Sequence, residues 1–152
     1  MKVKNKFIFS LIVFLFSFYV FIITLNPVFH ANDSPETVAC AFTLGIQHPP
    51  GYPLVAMLGK IFTFLPVGNV GFRVNISSAF FASLSVVFVF LTIVLMFKKN
   101  KTGVFYHYLI AIICSFCIVF SYTIWSEALS AKGGIYTLNL FFVTFLTWII
   151  FK

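Results

Sequence analysis

Residues 7–25 form an unbroken run of 19 residues without a charged side chain, preceded by Lys2, Lys4 and Lys6. As a helix rising 1.5 Å per residue the run is roughly 28 Å long, close to the hydrocarbon thickness of a bilayer. Backbone in lipid must satisfy its own N–H and C=O groups, so this run is a spanning helix. A secretory leader shares the basic start but has a shorter apolar core and a small-residue cleavage site. Here Asn26, Pro27, Val28, Phe29, His30 and Ala31 follow instead. The expectation is an uncleaved anchor whose N-terminus lies in the cytoplasm.

The rest of the chain agrees. Of 152 residues, 61% are apolar and 9% charged, against roughly 45–50% and about 25% in soluble domains. There is too little polar surface to face water, which excludes a soluble globular protein. The net charge of +7 does not point to nucleic acid, because the basic residues sit at the ends of apolar runs, where they act as topology signals.

Three further spans are expected at 72–97, 104–123 and 135–151. The second ends at Lys98, Lys99 and Lys101, and placing both basic clusters in the cytoplasm requires an even number of crossings between them. The apolar stretch 54–65, about 12 residues long and carrying Gly59 and Lys60, is too short to span. It reads as an interfacial helix within an outer loop at 26–71. The fold class is thus all-α integral membrane, with about four transmembrane helices plus that interfacial helix. Asp33, Glu36 and Glu127, the three acids of the chain, then share the non-cytoplasmic side. An ion or solute pathway would leave ionisable residues in the middle of the spans. These spans carry none there, which argues against a proton-coupled transporter.

Cys114 and Cys117 are spaced like a redox pair but lie in an apolar run where no thiolate is stable. With Cys40 they make an odd count without framework spacing.

Asp33-Ser34-Pro35-Glu36 has two readings. Asp followed three residues later by Glu, with Pro in the first turn, is a capping box starting a helix that runs to about Leu44. A carboxylate just outside a membrane helix is also a candidate general base toward a hydroxyl. The roles compete, because accepting backbone N–H bonds depresses the pKa and weakens the base. In His48-Pro49-Pro50-Gly51-Tyr52-Pro53 the prolines exclude helix. Pro50 and Gly51 suit the centre of a type II turn, which is either a rigid connector or a scaffold aiming His48 and Tyr52 at a pocket beside Asp33. His30, Asp33, Glu36 and His48 match no closed zinc signature; neither metal nor cofactor is expected. Arg73 and Lys60 either snorkel or hold a lipid phosphate. Lys132-Gly133-Gly134 reads as a turn before the last span, whose N–H groups suit a small anion nest.

Taken in order, DSPE at 33–36, TLGIQHPPGYPL at 43–54, LGK at 58–60, GNVGFRVN at 68–75 and YTLN at 136–139 resemble the protein O-mannosyltransferase-like membrane family, once catalogued only as a domain of unknown function. The resemblance implies the N-terminal part of a GT-C type fold. It also implies a glycosyltransferase that takes a sugar, mannose in the family, from a polyprenyl-phosphate donor on the outer side and passes it to a hydroxyl of a protein or glycan acceptor. The family's acidic residue of the first outer loop falls on Asp33, with Glu36 as companion. His48 would orient the acid or the sugar, and Lys60, Arg73 or Lys132 would stabilise the departing phosphate. Many relatives carry a glutamate where this chain has Gly134, and members are several hundred residues long, so the chain reads as a truncated N-terminal portion. The alternative is a non-catalytic polytopic subunit or inactive fragment. High Phe, Ile, Lys and Asn usage suggests an A+T-rich genome and a bacterial inner membrane.

Overall fold

The computed structural model describes residues 3–28, 33–97 and 104–152. His30 and the basic cluster of Lys98, Lys99 and Lys101 lie outside the described residues. Seven helices follow in order: α1 (Val3–Thr24), α2 (Ser34–Thr43), α3 (Pro53–Thr63), α4 (Val70–Met96), α5 (Val104–Val119), α6 (Tyr122–Ala128) and α7 (Gly134–Phe151). Among the described residues there is no strand.

Three helical stretches, Lys6–Thr24, Val70–Met96 and Gly134–Phe151, are long and apolar enough to cross a membrane. The chain is an all-helical integral membrane protein. The third expected span is not one straight helix: α5 and α6 meet at 71°, and they make a fourth crossing only if the bent pair is one span. Thr123 lies in α6, and residues 124–134 are not simply a loop. The bend is set by packing, since Trp125 of α6 lies edge-on to Phe21 of α1 at 5.8 Å and against Phe120 at 5.3 Å.

Helix α4 is the central post, packed most extensively on α7 and then on α1 and α5. Its buried positions include Ser77, Ser78, Ala79, Ala82, Ser83 and Ser85, small residues that let neighbouring backbones approach closely in lipid. Several serine hydroxyls inside the bundle are satisfied within their own helices, as in Ser83 Oγ to Ala79 O at 2.8 Å and Ser17 Oγ to Val13 O at 2.6 Å, so burying them leaves those groups paired. Asn69 starts α4 by accepting the Phe72 N–H at 2.9 Å while its amide nitrogen donates to Pro27 O. Asn75, fully buried, donates to Asn26 O at 2.8 Å and Val28 O at 2.6 Å.

The short apolar stretch at 54–65 forms the helix α3, and α2 packs on it as a helical hairpin against the N-terminal end of α4. At the same end α6 runs into α7 through Ser130 to Gly133, tied to α4 by Ser78 Oγ donating to Ser130 O at 2.7 Å. Gly133 is required by space: a Cβ there would fall 1.6 Å from the Glu127 carbonyl oxygen. This corner brings residues 33–52 and 127–139 together.

Candidate functional site

Asp33 precedes α2 as its N-cap residue, yet its side chain makes no capping hydrogen bond. The Thr37 N–H bonds the Asp33 backbone carbonyl at 3.0 Å, and the carboxylate Oδ2 accepts from the Lys132 ammonium instead. Glu36 does not reach back to Asp33, so the expected capping box is not formed. A full positive charge is a stronger partner for a carboxylate than a backbone amide, and the corner between α6 and α7 supplies one. The Lys132 N–H also donates to Ser34 Oγ at 3.3 Å, fixing the lysine's chain position against α2. The helix still starts where expected because Pro35 occupies its first turn and needs no N–H partner, and it ends at Leu44 in the left-handed region.

The hydrogen bond from Lys132 holds the Asp33 carboxyl below its ordinary range, against an opposing effect of burial. Asp33 in turn raises the Lys132 ammonium. Glu36 is lowered as well, first by its bond to the His48 ring and then by the His48 backbone N–H. Both oxygens of Glu36 are engaged, Oε1 at 2.7 Å from His48 N and Oε2 at 2.5 Å from Nδ1.

The proline segment turns one residue earlier than the expected type II turn. Gly51 N–H donates to His48 O at 2.9 Å, so Pro49 and Pro50 are the central pair, with a cis peptide between them. Gly51 has φ +72°, which glycine adopts without steric cost. The segment hands His48 and Tyr52 to a small cavity of about 90 Å³, lined by Asp33, Thr37, Gln47, His48, Tyr52, Lys132, Ile135 and Tyr136.

Lys60 and Arg73 lie elsewhere. The Lys60 ammonium donates to Phe42 O and sits over the Phe42 ring at 4.9 Å, tying α3 to the end of α2. The Arg73 guanidinium donates to Val67 O at 2.7 Å, Gly68 O at 2.9 Å and Thr63 O at 3.1 Å, closing the loop after α3. The anion nest expected at Lys132-Gly133-Gly134 is not available: Gly133 N–H is spent on Ser130 Oγ, Gly134 N–H on Ala131 O and Ile135 N–H on Lys132 O.

Sequence reasoning used Glu127 only to assign sidedness. In the structure it lines a larger cavity, about 490 Å³, with Thr123, Ile124, Tyr136, Thr137, Asn139, Leu140 and Val143. Tyr136 lines both cavities, and its place in the YTLN motif was the available signal. Among the described residues no group of three or more His, Cys, Asp or Glu comes together.

The profile of the protein O-mannosyl-transferase TMEM260 N-terminal domain matches residues 33–152. The chain is 28% identical over 153 residues to "Protein O-mannosyl-transferase tmem260" of Dictyostelium discoideum, covering 97% of this chain and 18% of that protein. It is 30% identical over 125 residues to "Protein O-mannosyl-transferase TMEM260" of Mus musculus, covering 82% of this chain and 16% of that protein. The chain thus spans less than a fifth of the length of these curated relatives. No solved structure matches it.

Proposed function

The chain belongs to the protein O-mannosyl-transferase TMEM260 N-terminal domain family, and from that premise we propose that it carries the acid-bearing site of a membrane glycosyltransferase. That enzyme moves mannose from a polyprenyl phosphate to a hydroxyl of a protein acceptor. The observation that carries the reading is the meeting of Asp33 and Lys132, 99 positions apart in sequence, at a cavity shared with His48, Tyr52 and Tyr136.

In this mechanism the Asp33 carboxylate takes the proton of the acceptor hydroxyl as the hydroxyl oxygen attacks the anomeric carbon. The bond from that carbon to the phosphate oxygen breaks, its electron pair leaves with the lipid phosphate, and positive charge builds on the sugar in an oxocarbenium-like transition state. Lys132 holds Asp33 ionised at neutral pH and lowers its basicity, so the pair must loosen as the proton arrives. As Asp33 becomes protonated, the Lys132 ammonium is freed to neutralise the leaving phosphate, a preorganised charge aimed where negative charge develops. The reading therefore invokes no divalent metal. Glu36 acts through His48, holding the proline turn that forms one wall. Lys2, Lys4 and Lys6 support a cytoplasmic N-terminus by the positive-inside tendency, and on this reading the chemistry lies on the opposite face.

The test is Asp33→Asn in the full chain. Asparagine retains the size and local preferences of aspartate at a helix start but accepts no proton. Transfer from polyprenyl-phosphate mannose is expected to fall roughly hundredfold to ten-thousandfold, with donor affinity kept within a few fold. An Asn variant with wild-type transfer removes Asp33 as the base.

A further inference from the structure

Gln47 is 6% exposed, and its Oε1 is buried with no hydrogen-bond partner. Buried polar atoms are almost always paired, and one left orphaned is destabilising. The local sequence explains why no backbone group satisfies it. Pro49 and Pro50 have no N–H, the His48 N–H is taken by Glu36, and the Gly51 N–H is taken by His48 O. None of the four positions that follow Gln47 offers it a free N–H.

The residue also sits at a junction. Gln47 and Tyr52 line the cavity that holds Asp33 and Lys132, and both line a second cavity of about 290 Å³ formed with Gly45, Pro50, Pro53 and Ala56. Asp33 and Lys132 are already paired in charge, so the neutral amide oxygen is matched to a neutral donor. A hydroxyl fits, because it donates to the amide while its own oxygen remains free to accept from an ammonium. Tyr52 and Tyr136 in the same wall offer aromatic surface to the C–H faces of a sugar ring, and an amide beside tyrosines suits a ligand that presents both hydroxyls and C–H groups.

We propose that Gln47 is a specificity-determining residue whose Oε1 accepts a hydrogen bond from a hydroxyl of the transferred sugar. This rests on the transferase reading above and adds to it the group that reads the sugar. A site built to bond a hydroxyl rejects an analogue lacking it, because the protein's buried acceptor is then stranded.

The experiment measures affinities of the full chain in lipid nanodiscs for polyprenyl phosphate, polyprenyl-phosphate mannose and each monodeoxymannose analogue of the latter. Wild-type protein should bind one monodeoxy analogue roughly ten- to a hundredfold more weakly than the mannose lipid. Gln47→Met should bind the mannose lipid more weakly by the same factor, no longer distinguish it from that analogue, and bind sugar-free polyprenyl phosphate as the wild type does. Gln47→Glu, which keeps an acceptor of the same reach, should keep the discrimination; its loss there, with lipid-phosphate affinity intact, overturns the proposal. A Gln47→Met variant with wild-type sugar preference overturns it too, as does an equal loss for the sugar-free lipid, which would make Gln47 a packing residue. A variant that binds every lipid normally but shows a raised KM for the acceptor also overturns it, since the hydroxyl would then belong to the acceptor. Wild-type protein that binds none of these lipids fails the transferase reading itself, an outcome distinct from all the others.

Discussion

The Glu36 carboxylate spends both of its oxygens on one residue, His48, meeting its backbone N–H at 2.7 Å and its ring Nδ1 at 2.5 Å. Twelve positions separate the two, so the pair staples the start of α2 to the proline turn. Its effect on stability has a definite sign with pH. The Glu36 carboxyl is lowered in the folded protein from an ordinary value of 4.5, so the stabilisation is fully present above 4.5 and is lost as pH falls through the lowered folded value. Amide hydrogen exchange over residues 45–51 should therefore stay slow down to the ordinary glutamate range and speed up only below it. Glu36→Ala should raise exchange in that segment about two- to tenfold at neutral pH, the range for an exposed charge-assisted bond. No change would mean that the prolines hold the turn unaided.

Lys132 has two jobs in the proposed chemistry, and Lys132→Met removes both. Loss of phosphate stabilisation should lower kcat by about a hundredfold to a thousandfold. The Asp33 carboxyl, held by Lys132 below its ordinary value of 3.8, should rise when the ammonium is gone. The acid limb of the residual rate should accordingly move to higher pH. A reduced rate with an unmoved acid limb would show that Asp33 is not the titrating group.

Arg73 separates a structural cation from a substrate-binding one. Its three carbonyl partners match the fork of a guanidinium, and lysine cannot serve all three. Arg73→Lys should lower stability in thermal melts by roughly 1–3 kcal/mol while polyprenyl phosphate affinity stays within about twofold. Weakened lipid binding with unchanged melting would place a phosphate on Arg73 after all.

Sidedness is checked by cysteine labelling. Cys40 is buried, whereas Ile46 is 94% exposed. A membrane-impermeant maleimide applied to intact cells should label Ile46→Cys nearly completely and leave Cys40 at background. Labelling of Ile46→Cys only after permeabilisation would reverse the orientation.

The spans were legible where hydropathy alone decides. Helices α1, α4 and α7 end within four residues of the expected runs, because an uncharged stretch of bilayer length has few alternatives. The bend between α5 and α6 was not legible. No proline or glycine marks it, and it follows from Trp125 meeting Phe21 and Phe120, a tertiary event that leaves no local pattern. Around the site, Asp33, His48 and Tyr52 drew notice as polar residues in a loop-forming stretch. The pairing of Asp33 with Lys132 is a long-range contact and was invisible, as was the loss of the cap bond it entails. Lys60 and Arg73 were ambiguous because a cation near glycine and proline reads the same whether a phosphate or a backbone carbonyl awaits it. Gln47 had only its place in the motif at 43–54 as a signal, and its unpaired buried oxygen is a tertiary fact.

The hydrogen bonds from Asn75 to the carbonyls of Asn26 and Val28 impose an order on biosynthesis. Ribosomes deliver α1 first, and its exit strand lacks these donors until α4 emerges some 47–49 residues later. During that interval α1 stands in the bilayer without α4, the helix it packs on most extensively. The insertion machinery or surrounding lipid must shelter it until its companion arrives. Asn75 then works as a latch that closes late, converting two independently inserted helices into one unit, and the corner bearing Asp33 is assembled only after that closure.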